Sequence, residues 1–354
     1  MRRLLGGLDI GGTKCAAVIG AASETGIDIL GKTSFPTPAT PEATMSALIA
    51  ALEALLAEHG GPIGMGGDAA IATAEAGAPP EPDGTRSHDR ALSRLAAIGV
   101  SCGGPLDSEA GLVLSPPNLP GWDAVDVLAP LRERFGVPAA LQNDANACAL
   151  AEWRWGAGRG TRHMAFLTFG TGMGAGLILN GRLYAGANDM AGEVGHIRLR
   201  EDGPVGYGKA GSFEGFCSGG GMARLGIGMT EEWLQAGKTT ALPTGADAET
   251  TLTARLIFEA ARAGDELAAL IVRVTGIELG RGLAVMVDVL NPEAIVIGSI
   301  YARQEPLLAP IVLETLRREA LPRSLAACRI LPSQLRENVG DAASLSVALH
   351  ALEA

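Results

Sequence analysis

The chain has 354 residues and a formal net charge of −11, long enough for about two domains, each with its own core. That acidic balance argues against a nucleic-acid backbone or an anionic membrane surface as partner. The five cysteines are odd in number and scattered, as reduced thiols are, and no stretch approaches the roughly 18 uncharged apolar residues of a membrane span. Arg2-Arg3-Leu4-Leu5 is interrupted by Asp9, too early for a secretory leader. A soluble, cytoplasmic protein is expected.

The first element is a hairpin. Leu4 to Ile10 and Cys15 to Ile19 read as apolar strands joined by Gly11-Gly12-Thr13-Lys14. In a dinucleotide fingerprint or a P-loop such glycines lead into a helix; these lead into a second strand. The turn therefore bares backbone N–H groups beside Asp9 and Thr13. Such a turn can cradle phosphates, with Asp9 placed to hold Mg²⁺ through water; taken alone, an ordinary hairpin is the alternative. A strand over 27–35 follows, then an amphipathic helix from Pro41 to about His59. Gly60 to Asp89 carries seven glycines and four prolines and reads as a surface insertion. Strand character resumes over 95–101 and ends in Cys102-Gly103-Gly104-Pro105, where glycines let a ligand approach the backbone. Ser115 to Trp122 is a proline-stiffened segment displaying Asn118, and alone it reads as a connection.

Val137 to Leu141 reads as a buried strand that hands over at Asn143-Asp144 to a helix stopped by Gly156. In an α/β chain that junction is the usual place for ligand chemistry, although Asp144 could simply cap the helix, worth about 1 kcal/mol. Residues 164–186 repeat the opening design: Met164 to Phe169, a Gly170-Thr171-Gly172-Met173-Gly174 turn, Ala175 to Leu179, and a further strand to Tyr184 after Asn180-Gly181. Two similar lobes, each headed by a phosphate-gripping hairpin, could close on one nucleotide. In Ala191 to His196, Glu193 and His196 lie three apart and share one face of a helical turn. A glycine-rich stretch over 200–221 includes Glu214. The pattern is helical from Thr251 to Leu290, with Gly276, Gly280 and Gly282 suited to close helix packing. A strand over 293–298, a helix over 304–320 and a last helix from Gly340-Asp341 complete the chain.

This arrangement resembles the ROK family of bacterial sugar kinases, an α/β, two-lobed actin/hexokinase/Hsp70-like ATPase fold of duplicated ribonuclease H-like domains. The resemblance rests on DIGGTK from Asp9 to Lys14, GGPL from Gly103 to Leu106, NDANA from Asn143 to Ala147, FGTGMG from Phe169 to Gly174 and AGEVGH from Ala191 to His196. It implies an N-terminal lobe of residues 1–120 joined by the helix over 341–354, and a C-terminal lobe of residues 121–340. It implies transfer of the γ-phosphate of ATP to a sugar hydroxyl, with the 6-hydroxyl of glucose as default acceptor. N-acetylglucosamine, N-acetylmannosamine, mannose and fructose are the alternatives. Asp144 would be the catalytic base. Asn143, Glu193, His196 and Glu214 would bind sugar hydroxyls, with Asn118 and Gly104 lining the same pocket. Asp9, Gly11, Gly12, Thr13 and Lys14, with Gly170, Thr171, Gly172 and Gly174, would hold the phosphates and Mg²⁺ of ATP, and Gly298 would lie beside the adenosine. A homodimer is also implied.

The sequence departs from the family pattern at two places. Members commonly bind a structural zinc through one His and a C-x-C-G-x-x-G-C-x-E segment; here Val205, Tyr207 and Ser212 occupy the cysteine positions. A structural zinc needs four ligands, so none is expected. Ser299 and Ile300 stand where further glycine is usual. Three other classes share the fold: a sugar-responsive repressor with an N-terminal helix-turn-helix, a chaperone or filament ATPase, and a non-catalytic sugar binder. The first phosphate turn begins at Asp9, which is expected to leave no room for a DNA-binding segment. Asn143-Asp144 and Glu193/His196 point to a sugar rather than to a chaperone.

Overall fold

Strands β1 (Arg3–Ile10) and β2 (Lys14–Ala22) are buried on both faces rather than on alternate residues, the pattern of strands covered by helices on either side. The structure, a computed structural model, describes residues 2–23, 26–59 and 95–353, so the expected insertion over 60–89 lies outside the described residues. The chain divides into two units, Met1–Ala147 with Gly340–Ala354, and Cys148–Val339.

In the first unit, β3 (Ile27–Pro36), β2, β1, β4 (Leu95–Cys102) and β8 (Ala139–Asn143) form one sheet in that order. The pairs β1/β2 and β2/β3 are antiparallel, whereas β1/β4 and β4/β8 are parallel. Helix α1 (Pro41–His59) buries Leu48, Leu52, Leu55 and Leu56, and Leu52 lies against Gly6. The next residue, Gly7, points to the opposite face, as successive strand residues must, and lies under Ser344 of the last helix, α11 (Val339–His350). Gly99 also lies under α11, where a Cβ would overlap the backbone of Ser344 and Ala348. These glycines let α11 lie directly on the sheet. Short strands β5 (Leu106–Asp107), β6 (Leu112–Val113) and β7 (Val125–Asp126) make a small antiparallel sheet, followed by α2 (Ala129–Phe135).

Helix α3 (Asp144–Trp155) leads into the second unit. There β11 (Arg182–Tyr184), β10 (Ala175–Leu179), β9 (Met164–Leu167), β14 (Ala294–Ile297) and β15 (Arg329–Pro332) form a second sheet. Its order by appearance, third-second-first-fourth-fifth, is that of the first sheet, with the same change from antiparallel to parallel pairing. The boundary differs from the expected residue 121. Because β8 pairs with β4, residues 121–147 belong to the first unit.

The remaining helices belong to the second unit: α4 (Phe213–Phe216), α5 (Gly219–Gln235), α6 (Ala246–Thr251), α7 (Ala254–Arg262), α8 (Glu266–Leu290), α9 (Ile300–Glu319) and α10 (Pro322–Ala327). The single helical stretch expected from Thr251 to Leu290 is thus broken twice, where Thr253 and Asp265 cap the helices that follow them through bonds from Leu256 N and Ala268 N. The glycine expectation for α8 is met: Gly276 lies beneath Ile311, Gly280 beneath Thr315 and Gly282 against the Phe213 ring. Between β12 (Val205–Gly206) and β13 (Lys209–Ala210), Tyr207 and Gly208 form a tight turn. Among the described residues no helix is long and apolar enough to cross a membrane.

Candidate active site

In the first unit, parallel register sets Ile10, Cys102 and Asn143 side by side at the C-terminal ends of β1, β4 and β8. This brings Asp9, Gly103-Gly104 and Asp144 to one sheet edge, where open α/β sheets bind ligands. The β1–β2 turn is closed by Gly11 N donating to Lys14 O (3.2 Å), and Gly12, Thr13 and Lys14 are exposed. Thr37 braces the turn, its Oγ1 donating to Gly11 O (2.5 Å) and its N to Thr13 O (3.1 Å). Asn118 comes to the same turn: a Cβ on Gly12 would lie 2.8 Å from the Asn118 Cβ and overlap its carbonyl. Gly104 has only Leu106 N near it, at 4.0 Å from a built Cβ.

The helix cap falls one residue earlier than the sequence suggested. Asn143, buried, accepts from Asn146 N through Oδ1 (2.7 Å), the bond a capping side chain makes. Asp144 is the first helical residue; its Oδ1 accepts from the adjacent Ala145 N (2.8 Å), and the residue is solvent-accessible. Surrounding protein nonetheless raises the Asp144 pKa above the usual carboxylate range, with the bond from Ala145 opposing. Burial, then the charges of Asp144 and Asp341, push Asp9 up from 3.8 to about 6; Lys32 and a hydrogen bond from Ser101 pull the other way. Lys32 is itself paired to Asp341 at 2.5 Å. The charged neighbours of Asp9 are thus two further carboxylates and one lysine, and that lysine is shared with Asp341.

The second turn is wider and differently anchored. Thr168 Oγ1 accepts from Gly174 N (2.8 Å), and Thr168 N donates to Gly174 O (3.0 Å). Glu214 reaches it from α4: its Oε2 accepts from Met173 N (3.1 Å) and would lie 3.0 Å from a Cβ on Gly172. Glu193 is exposed and opens a short 3₁₀ turn over Val194–His196; His196 is half-buried. Gly195 in that turn packs on Met173 and Glu214. So Glu214, His196 and the second turn are neighbours.

Gly170 and Thr171 line a cavity of about 800 Å³ together with Gly219, Gly220, Phe258, Ser299, Ile300 and Arg303. Gly172, Gly174 and Gly298 do not line it; a Cβ on Gly298 would meet the Phe166 ring at 2.9 Å. Ser299, with φ 52°, accepts from Arg303 through Oγ (3.2 Å) and lies 3.4 Å from a Cβ built on Gly170. Sequence reasoning missed Gly219 and Gly220. The signal was Ser218-Gly-Gly-Gly: Ser218 caps α5 by accepting from Gly221 N (2.9 Å), and Gly219 N donates to Gly170 O (2.7 Å).

Comparison with known proteins fits this geometry. A model of the ROK family matches residues 85–348. The chain belongs to the ROK family. Its DIGGTK turn precedes the matched range. A glucokinase of Halalkalibacterium halodurans is 35% identical over 239 residues, 67% of this chain and 71% of that protein. The DNA-binding transcriptional repressor Mlc of Escherichia coli is 30% identical over 66% of this chain, but only 56% of its own length is matched. Among solved structures, a ROK family glucokinase from Streptomyces griseus in complex with glucose and AMPPNP is 29% identical, with a TM-score of 0.70 over 98% of this chain and 99% of that one. The fold is that of the actin/hexokinase-like ATPases.

Proposed function

We propose that this ROK protein is an ATP-dependent sugar kinase that phosphorylates a hexose hydroxyl, with the 6-hydroxyl of glucose as first choice. The observation that carries the reading is Asp144. Its neighbour Asn143 caps the helix, so the Asp144 carboxylate stands accessible at the sheet edge with a raised pKa. A sugar hydroxyl is a poor nucleophile at neutral pH, and a positioned base of raised pKa is worth about 10²–10⁴-fold. Asp144 takes the hydroxyl proton, the freed oxygen attacks the γ-phosphorus, the bond to the bridging oxygen breaks, and ADP leaves.

The exposed turn after β1 and, in the other unit, the turn at Gly170 each offer backbone N–H groups suited to phosphate, and the cavity beside Gly170 and Ser299 is suited to a nucleoside. Asp9 would hold Mg²⁺ through water; when bound, the ion neutralises charge on the transferring phosphoryl group. The described residues contain no cluster of three or more ligand side chains; the other ligands of such an ion would be nucleotide phosphate oxygens and water. Asn143 Nδ2, Glu193, His196 and Glu214 supply hydrogen bonds to hydroxyls that both donate and accept. The glucose and AMPPNP in the Streptomyces griseus enzyme support the substrate pair.

The test is Mg²⁺-dependent ADP release with glucose, N-acetylglucosamine, N-acetylmannosamine, mannose and fructose. Turnover highest with glucose is expected. Because a relative, Mlc, is named a repressor and not a kinase, a second reading is a non-catalytic sugar-binding protein; sugar that binds in calorimetry but releases no ADP with any of the five would establish that reading instead.

A further inference from the structure

A structural zinc does not fit this chain. The segment Val205 to Ser212 offers no thiolate, and Ser212 Oγ is already committed, accepting from Gly215 N (3.0 Å) and donating to Gly206 O (3.3 Å). What holds the segment is on view. Lys209 Nζ donates to His196 O (2.7 Å), and Arg198 donates to Ala210 O (2.9 Å). Arg200 Nε and Arg281 Nη1 both bond Oε1 of the fully buried Glu278, at 2.8 and 2.7 Å, and the Arg200 guanidinium lies over the Phe216 ring, 5.8 Å from its centroid. These contacts fasten the segment to α8 and α4. At its tip, Tyr207 takes φ 45° and Gly208 φ 76°, both central residues of a two-residue hairpin turn in the left-handed region. An aromatic residue pays strain there. The Tyr207 ring meets the His196 imidazole edge-to-face, with centroids 5.0 Å apart and planes at 81°.

We propose that Tyr207 is a positioning residue for His196, its ring orienting the imidazole toward the sugar without a metal ion, while the Lys209 bond holds the His196 backbone. The proposal rests on His196 being a sugar contact. An edge-to-face aromatic pair is worth about a 2- to 10-fold change in affinity. Full-length, tag-free protein, dialysed against chelator and then given Mg²⁺, is assayed as wild type, Tyr207→Ala, Tyr207→Phe and His196→Ala. Sugar KM and kcat are measured with the best of the five sugars, and the His196 ring resonance is followed by NMR of ¹³C-histidine-labelled protein.

Tyr207→Ala raises sugar KM about 2- to 10-fold with kcat within about twofold, and moves the His196 resonance through loss of the ring current. Tyr207→Phe restores both. In a His196→Ala background, Tyr207→Ala adds nothing to KM. Unchanged KM and unchanged resonance in Tyr207→Ala would overturn the proposal, as would one equivalent of tightly held zinc in the purified protein. If His196→Ala leaves sugar KM unaltered while Tyr207→Ala still moves the resonance, the sugar-contact reading fails and the ring contact stands.

Discussion

Replacing Asp9 by Asn should stabilise the ligand-free protein while removing its activity. Burial and the charges of Asp144 and Asp341 push the Asp9 carboxyl to about 6 in the folded chain, against 3.8 ordinarily. A carboxyl with a raised folded pKa holds its proton more tightly when folded. Stability therefore falls as pH rises from 3.8 to 6, and above 6 the full cost of the buried charge is present. At 1.36 kcal/mol per pKa unit that cost is at most about 3 kcal/mol; partial solvent access and charge-sharing with Asp144 bring the expectation to about 1–3 kcal/mol. Asn is close in shape to the protonated acid, so Asp9→Asn removes the cost above pH 6 and changes little near pH 4. Urea unfolding in the presence of chelator, at pH 4 and pH 7.5, reads this directly. A gain of about 1–3 kcal/mol at pH 7.5 with near equality at pH 4 is expected. A variant no more stable than wild type at pH 7.5, or equally stabilised at both pH values, would refute the reasoning. Mg²⁺-ATP should stabilise wild type more than the variant.

Gly12→Ala places a methyl group on the Asn118 backbone, so it should raise the KM for ATP about tenfold; an unaltered KM would show that this turn does not carry phosphate. Glu214→Ala removes both a proposed sugar contact and the acceptor for Met173 N, and should weaken sugar and nucleotide together by about tenfold each. A loss confined to sugar, measured by calorimetry, would contradict the anchoring role. Glu152, fully buried, accepts from Ala157 N (2.8 Å), Ser333 Oγ (2.5 Å) and Leu335 N (2.9 Å). Glu152→Ala leaves those donors unpaired and should cost about 3 kcal/mol or more in urea unfolding; a wild-type midpoint would count against it.

Both glycine turns, the strand-to-helix junction at Asn143-Asp144 and the repeat of the opening design were legible because each joins a long apolar run to a turn whose residues have a distinct backbone role. The identity of the cap was not legible: Asn143 and Asp144 are both good caps, and only the point where β8 leaves its pairing with Cys102 decides between them. The two-residue strands β5, β6 and β7 have no periodicity to read. Helix α5 was hidden because its first turn is glycine, whose low propensity is overridden by packing: a Cβ on Gly221 would overlap the carbonyls of Glu214 and Gly215. The contact of Glu214 with Met173 spans 41 residues and leaves no local signal. Tyr207 read only as a missing cysteine; its contact with His196 depends on the β12–β13 turn.

The carboxylate at 144 is the centre of the account, and single-turnover phosphorylation by Asp144→Asn measures it most directly. With saturating Mg²⁺-ATP and sugar, the chemical step should slow by about 10²–10⁴-fold, while ATP affinity measured by calorimetry stays within a few-fold of wild type. A chemical step within a few-fold of wild type would mean that the sugar's proton leaves by another route, and that Asp144 does no more than begin a helix.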